Sequence, residues 1–239
     1  MNKQAVIDVN IVNENSLLLT WPEIISAEQH QEIMAVKSQI QAIYGEAIID
    51  CIACYNSLMV YYQFQVLNTY QLIAELKSLL QQPRQLKAQK AEQNIIEIPV
   101  LYDLESGWDL ADVAKQTKLT IAQVIELHSQ TTFHAYALGF TPGFCYLASL
   151  PAQLQLPRKA NPRLSVPAGA VAIAEQQSAV YPSASPGGWH ILGQTPLAMF
   201  SATKEHFQPL INVGQAIKFV PISKAKFLEL GGQVCRVPQ

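Results

Sequence analysis

Charge is scarce in this chain. Asp, Glu, Lys and Arg together make up 14% of its 239 residues, where a globular protein usually carries about a quarter. The net charge of −2 at pH 7 excludes the basic footprint that a nucleic-acid binder needs. So little charge also points to a surface that a partner protein partly covers. Long apolar runs are missing as well, and no segment reaches the length that spans a bilayer. The first residues, MNKQAVIDVNIVNEN, lack the apolar region of a signal peptide. A soluble cytoplasmic protein is expected. Also absent are a G-x-x-x-x-G-K-[ST] phosphate loop, a G-x-S-x-G nucleophile elbow, an H-E-x-x-H zinc helix and a biotin-type lysine motif. Any nucleotide must be held by another architecture, or by a partner. Cysteines number four. Cys51 and Cys54 have the spacing of a redox or zinc pair, but no second pair follows. Their flanks read as a strand entering a turn, where residues three apart point to opposite faces, so a structural role is expected and no metal site.

Hydrophobic residues make up 49% of the chain, enough for one large core or two small ones. Residues 5–12 and 16–21 read as a hairpin around Asn13-Glu14-Asn15. A helix follows, with Ser26 as N-cap, Gln29 completing a capping box, and Gly45 as its stop. Its apolar face is Ile33, Val36, Ile40 and Ile43. Residues 46–53 and 58–64 read as strands. A second helix starts near Asn68 or Thr69, buries Leu72, Ile73, Leu76, Leu79 and Leu80, and stops before Pro83. This pattern predicts a small α+β domain of ferredoxin-like type over residues 1–82. The polar stretch 83–94 is the expected linker, its Arg84, Lys87 and Lys90 a solvated face. Residues 95–239 open with a strand and two short helices with Asp109 and Thr120 as N-caps. Short strands and turns then predict a barrel or sandwich.

Between residues 139 and 196 the turns become dense: Gly139-Phe140-Thr141-Pro142-Gly143-Phe144-Cys145-Tyr146-Leu147, Pro157-Arg158, Pro162-Arg163, Val166-Pro167-Ala168-Gly169, Tyr181-Pro182, Ser185-Pro186-Gly187-Gly188-Trp189 and Gly193-Gln194-Thr195-Pro196. Glycine here permits positive φ or close backbone approach, and proline fixes φ and deletes a donor. No long helix fits this punctuation. Interleaved arginines, a tyrosine, a serine and a tryptophan suit a groove for a small polar ligand.

In this order and spacing the set resembles the family of the 5-oxoprolinase B subunit, also called allophanate hydrolase subunit 1 or the KipI type (kinase A inhibitor). The resemblance covers about residues 95–222 and is densest over 128–200. It implies a cyclophilin-like β-barrel behind a small α+β domain. It further implies a non-autonomous enzyme subunit that, with a C-type partner (allophanate hydrolase subunit 2 type), activates 5-oxo-L-proline with ATP, and with Mg2+ beside the nucleotide. An A-type partner (LamB/YcsF type) then helps to open the lactam to L-glutamate. The alternatives that the resemblance carries are a module that inhibits a sensor histidine kinase through its C-terminal domain, and a carboxylation-linked subunit acting on another amide. A prolyl isomerase ranks below these, since fold does not carry function.

The candidate catalytic residues are His128, Arg158 and Arg163. Histidine moves protons near neutral pH, and His128 stands where the family has one; its alternative use is a helix C-terminus contact with the macrodipole. The guanidinium forks match carboxylate and phosphate, and equally suit an inter-subunit ion pair. The candidate binding residues are Gly143, Gln177, Tyr181, Ser185, Gly187, Gly188 and Thr195. Of these, the diglycine offers backbone N–H groups to an anion and Ser185 offers a hydroxyl, while a tight turn with Trp189 in the core is the plainer use. Four positions depart from the family pattern, at Leu104, Ala170, Glu175 and Ala179. Three replace glycines, and a Cβ there restricts positive φ.

Overall fold

The computed structural model describes residues 7–82, 95–203 and 206–235, so the expected linker, with Arg84, Lys87 and Lys90, lies outside the described residues. The chain divides into two compact units, Met1–Ala91 and Glu92–Gln239. Among the described residues no helix is long and apolar enough to cross a membrane.

The first unit contains strands β1 (Asp8–Asn13) and β2 (Ser16–Thr20), helix α1 (Ala27–Tyr44), strands β3 (Ile48–Ala53) and β4 (Ser57–Tyr62), and helix α2 (Thr69–Gln81). The sheet order is β1-β2-β4-β3, all antiparallel. The helix boundaries follow the caps. Ser26 accepts the N–H of Gln29, Gly45 ends α1 at φ 52°, and Asn68 accepts from Tyr70 and Gln71. Ile33, Val36 and Ile40 are buried on α1, and Leu72, Leu76 and Leu80 on α2. Ile43, one turn beyond Ile40, is exposed instead of completing that face. The element order here is β-β-α-β-β-α. A ferredoxin-like fold runs β-α-β-β-α-β, so that expectation is not met in chain order. The crossover logic survives, because β4 lies between β2 and β3, which α1 connects.

The second unit contains β5 (Ile96–Val100), α3 (Leu110–Thr117), α4 (Ile121–Gln130), β6 (Thr132–Leu138), β7 (Cys145–Ala148), β8 (Arg163–Val166), β9 (Ala170–Ala174), β10 (Gln177–Val180), β11 (Ser185–Gly187), β12 (His190–Gln194), β13 (Phe200–Ala202), β14 (Phe207–Pro209), β15 (Ala216–Pro221) and α5 (Lys224–Glu229). Seven strands form one sheet in the order β12-β9-β10-β7-β6-β15-β5. Neighbours are antiparallel except β15 and β5, which run parallel. Just past the end of β5, Leu101 exchanges both backbone hydrogen bonds with Gln194 at the end of β12, at 2.8 and 3.0 Å. The two sheet edges thus meet, and the sheet is a nearly closed barrel. Closure removes the unpaired edges that invite aggregation.

Strand β9 shows how the barrel positions a site. Its sequence, Ala-Val-Ala-Ile-Ala, is buried on both faces. Val171 and Ile173 point into the main core with Ile98, Phe133, Leu192, Ile217 and Phe219. Ala172 and Ala174 face the other way, into a second cluster with Phe144, Val166, Tyr181, Trp189 and Ile191. Alternate residues of a strand face opposite sides, and small alanines on the outer side leave room for large rings. Those rings form the floor of a cleft.

Candidate functional site

The cleft has a volume of about 240 Å³ and is lined by Phe140, Phe144, Tyr146, Arg158, Pro162, Tyr181, Pro186, Gly187, Gly188 and Trp189. Phe144 is its hub. Its ring meets those of Phe140, Tyr146, Tyr181 and Trp189 edge-on, with centroids 4.9 to 5.8 Å apart, the geometry that ring quadrupoles favour. The loop before β7 delivers Phe140, and β7 delivers Tyr146, which shares a strand face with Phe144 two residues earlier.

Arg158 is the one charged side chain in the lining. Its guanidinium carbon lies 5.8 Å from the Trp189 ring centroid, within cation–π range. Its Nε is 3.6 Å from Glu175 Oε1, with both side chains more than half exposed. Tyr181 is buried, and burial pushes its phenol pKa up. The Trp189 N–H and the nearby arginines oppose the rise without cancelling it. The phenol therefore stays protonated at neutral pH. Gly187 lies directly against the Tyr181 hydroxyl, and a Cβ there would overlap it. Here glycine is required by close approach, not by φ.

Behind the cleft stands a clamp. The carboxylate of Asp109 is 1% exposed. It accepts from Arg163 Nη1 and Nη2 at 2.8 Å each, from Lys159 Nζ at 2.6 Å and from the Ile191 N–H at 2.8 Å. Burial raises its pKa, but these donors outweigh burial and hold the carboxyl below its usual range. The segment between Pro157 and Arg163 is tied down again by Lys159 N–H to Gly188 O at 2.8 Å and by His190 Nε2–H to Pro157 O at 2.9 Å. Arg163 also stacks 5.4 Å from the Trp108 centroid. The clamp fixes the loop that carries Arg158 and Pro162 against the turn that carries Gly188 and Trp189.

Of the sequence-predicted residues, the cleft gathers Arg158, Tyr181, Gly187 and Gly188. Arg163 belongs to the clamp. Ser185, beside Pro186, has a buried Oγ with no hydrogen-bond partner, as does Thr141 Oγ1. Gly143 sits at φ 83° against Phe200 and shapes the turn. Gln177 is half-buried on β10, opposite Ala174 and Ala148. Thr195 is buried; its Oγ1 accepts the Leu197 N–H and its own N–H donates to Gly169. None of these last three lines the cleft.

His128 lies in the barrel interior, fully buried, and is not in the lining. Its ring stacks on Phe219 at 4.6 Å. Ser178 Oγ donates to the Ala172 carbonyl at 3.2 Å, so it receives the proton of His128 Nε2 at 2.9 Å. Nδ1 then accepts from the Tyr102 hydroxyl at 2.7 Å. Burial pushes its pKa down to about 3. Both ring nitrogens are satisfied in a neutral imidazole, the arrangement of a core histidine.

Sequence reasoning missed Asp109 and Lys159. Asp109 precedes α3 as expected, yet its side chain caps nothing. The cleft aromatics carried a readable signal in the spacing of Phe140, Phe144 and Tyr146. Cys51 and Cys54 are unpaired, and burial raises both thiol pKa values, Cys51 to about 11, which opposes thiolate chemistry. Among the described residues no three His, Cys, Asp or Glu are grouped to share a metal ion, and the cleft lining has no carboxylate. Among the described residues, those lining the cleft do not fit a Mg2+ site.

Residues 7–210 match the family described as Carboxyltransferase domain, subdomain C and D. The chain is similar to the 5-oxoprolinase B subunit of Haemophilus influenzae, 36% identical over 210 residues, covering 87% of this chain and 95% of that protein. It is also similar to the 5-oxoprolinase B subunit of Bacillus subtilis, 33% identical over 229 residues, covering 90% and 93%. Among solved structures, protein TTHA0988 superposes with a TM-score of 0.74 at 34% identity over 87% of this chain. This chain spans only 40% of the length of that one.

Proposed function

Since the chain belongs to the family of the 5-oxoprolinase B subunit, within the carboxyltransferase C and D subdomain family, we propose that it is a non-autonomous subunit of an ATP-dependent 5-oxoprolinase. A C-type partner completes the activating site, and an A-type partner takes the activated lactam to glutamate. A planar lactam is a poor electrophile. Transfer of the terminal phosphoryl group of ATP to its carbonyl oxygen activates the ring carbon. One water adds there and breaks the C–N bond to give the γ-glutamyl phosphate, and a second water releases phosphate. ATP, 5-oxoproline and two waters become ADP, phosphate and glutamate.

The observation that supports this reading is the aromatic-walled cleft with a lone guanidinium at its edge. In this reading a five-membered lactam stacks on the Trp189 ring beside Phe144, which meets that ring edge-on, with its carboxylate on Arg158. The protonated Tyr181 hydroxyl is the donor offered to the lactam oxygen, where charge develops. The lining offers the polyphosphate one cation and Mg2+ no carboxylate. ATP with its Mg2+ is therefore assigned to the partner.

The test is 5-oxoproline-dependent ATP hydrolysis by this chain mixed with its cognate A-type and C-type partners, each also omitted in turn. Hydrolysis and glutamate formation that need all three support the proposal. A stable complex without turnover on 5-oxoproline moves the substrate to another amide. Neither complex nor turnover removes the enzyme reading and brings the kinase-binding module forward.

A further inference from the structure

Arg158 reaches the cleft with a carboxylate already beside it. Glu175 stands in the tight turn between β9 and β10, after Ala174 and before the paired Gln177. Its φ is 55°, in the left-handed region that turns of this kind fill with glycine, asparagine or aspartate. A residue with a longer side chain is strained there, by roughly 1 kcal/mol or more. Three non-glycine residues have positive φ among those described, namely Lys118, Phe140 and Glu175. Lys118 caps the end of α3. The other two are both at the cleft: Phe140 in its lining and Glu175 on its arginine.

The turn is also anchored toward Arg158. The Glu175 N–H donates to Leu156 O at 2.6 Å, two residues before the arginine. The backbone thus holds the Glu175 carboxylate within reach of the guanidinium. At 3.6 Å and half-exposed, the pair is loose and worth little. A ligand carboxylate seated bidentate on Arg158 beside the Trp189 ring makes shorter, better-shielded bonds. A ligand of that kind wins the exchange, whereas an uncharged ligand gains nothing from it. Once Arg158 is taken, Glu175 repels the bound anion.

We propose that Glu175 is a built-in counter-ion, displaced from Arg158 by an anionic ligand, and that it sets how tightly the cleft holds such ligands. That the ligand is the carboxylate of 5-oxoproline rests on the functional reading above; the counter-ion role does not.

Two readouts separate them. The first needs no substrate: modification of Arg158 by phenylglyoxal, followed by peptide mass spectrometry, in the wild type and in E175Q. E175Q keeps the turn and removes the charge, so Arg158 reacts up to about five-fold faster. The second is calorimetric titration of this chain in complex with its C-type partner, with 5-oxo-L-proline and with its uncharged carboxamide. E175Q and E175G lower the Kd of the acid by up to about five-fold and leave the carboxamide unchanged, and R158A erases the difference between E175Q and wild type. E175G also has a Tm no lower than wild type, because glycine relieves the turn. Unchanged Arg158 reactivity in E175Q overturns the proposal, as does an equal shift for acid and carboxamide. Faster Arg158 modification with no binding of the acid by any variant leaves the counter-ion standing and removes the oxoproline reading.

Discussion

Arg158 and Arg163 both follow a proline and carry the same guanidinium, yet their surroundings assign them opposite tasks. Arg158 is more than half exposed and held by one loose ion pair. Arg163 is mostly buried and forks onto a carboxylate that is 1% exposed. On the proposed function, truncating Arg158 removes a ligand contact and little else. R158A should lower kcat/KM in the reconstituted system by roughly 10- to 100-fold, the worth of a charge-assisted hydrogen bond, with Tm unchanged. R163A should do the reverse. It leaves Asp109 with Lys159 and the Ile191 N–H alone, so stability falls by about 1.5–3 kcal/mol, read as a lower urea midpoint at constant m. Gly143 gives a third single-residue test. At φ 83°, a Cβ would lie 2.7 Å from Phe200 Cδ1 and 3.2 Å from Met199 O. G143V therefore combines backbone strain with a clash, and should cost about 2 kcal/mol or more.

At the scale of elements, β9 governs the cleft through what it lacks. Ala172 is fully buried beneath the cluster of Phe144, Tyr181 and Trp189. A172L would push that floor outward. Overpacking costs about 1–3 kcal/mol, and the displaced rings occupy the cleft. The expected outcome is a lower Tm together with loss of 5-oxoproline binding in calorimetry, where V171A, on the opposite face, should lower Tm and spare binding. Much of this architecture was legible in the sequence because its signals are local. Ser26, Asn68 and Thr120 cap the helices they precede, and Arg158, Tyr181 and the diglycine come together as their motifs suggested. The clamp was not legible. Asp109 looks like an N-cap, but its partners lie 50, 54 and 82 residues further on, and only barrel closure brings them into register. His128 misled for the same reason. Its position in the last turn of α4 suits a proton carrier, while the partners that neutralise it, Tyr102 and Ser178, come from distant segments.

For the whole molecule, the buried histidine makes acid the weak side of the fold. The His128 pKa is about 3 when folded against an unperturbed 6.5. Between those values the unfolded chain binds a proton that the folded chain refuses, so stability falls as pH falls, by about 1.4 kcal/mol per unit. From pH 6.5, where half of the unfolded chains carry the proton, to pH 5 this one group should remove between about 1 and 2 kcal/mol. Asp109 acts lower on the scale. Its folded pKa is depressed below 3.8, so the stability it contributes is present above that value and fades as pH drops through the folded one. Glutamine at position 128 accepts from the Tyr102 hydroxyl and donates to Ser178 without titrating. H128Q should therefore flatten the dependence of urea stability on pH between 6.5 and 5 by about one proton's worth, whatever its stability at pH 7. The same variant discriminates the two uses of this residue. A core histidine predicts that the pH–rate profile of the reconstituted enzyme keeps its shape in H128Q, apart from losses that follow unfolding. A profile that loses an ionisation near neutral pH, in a variant still folded by circular dichroism, would place His128 in the chemistry and overturn the structural role that its hydrogen bonds assign.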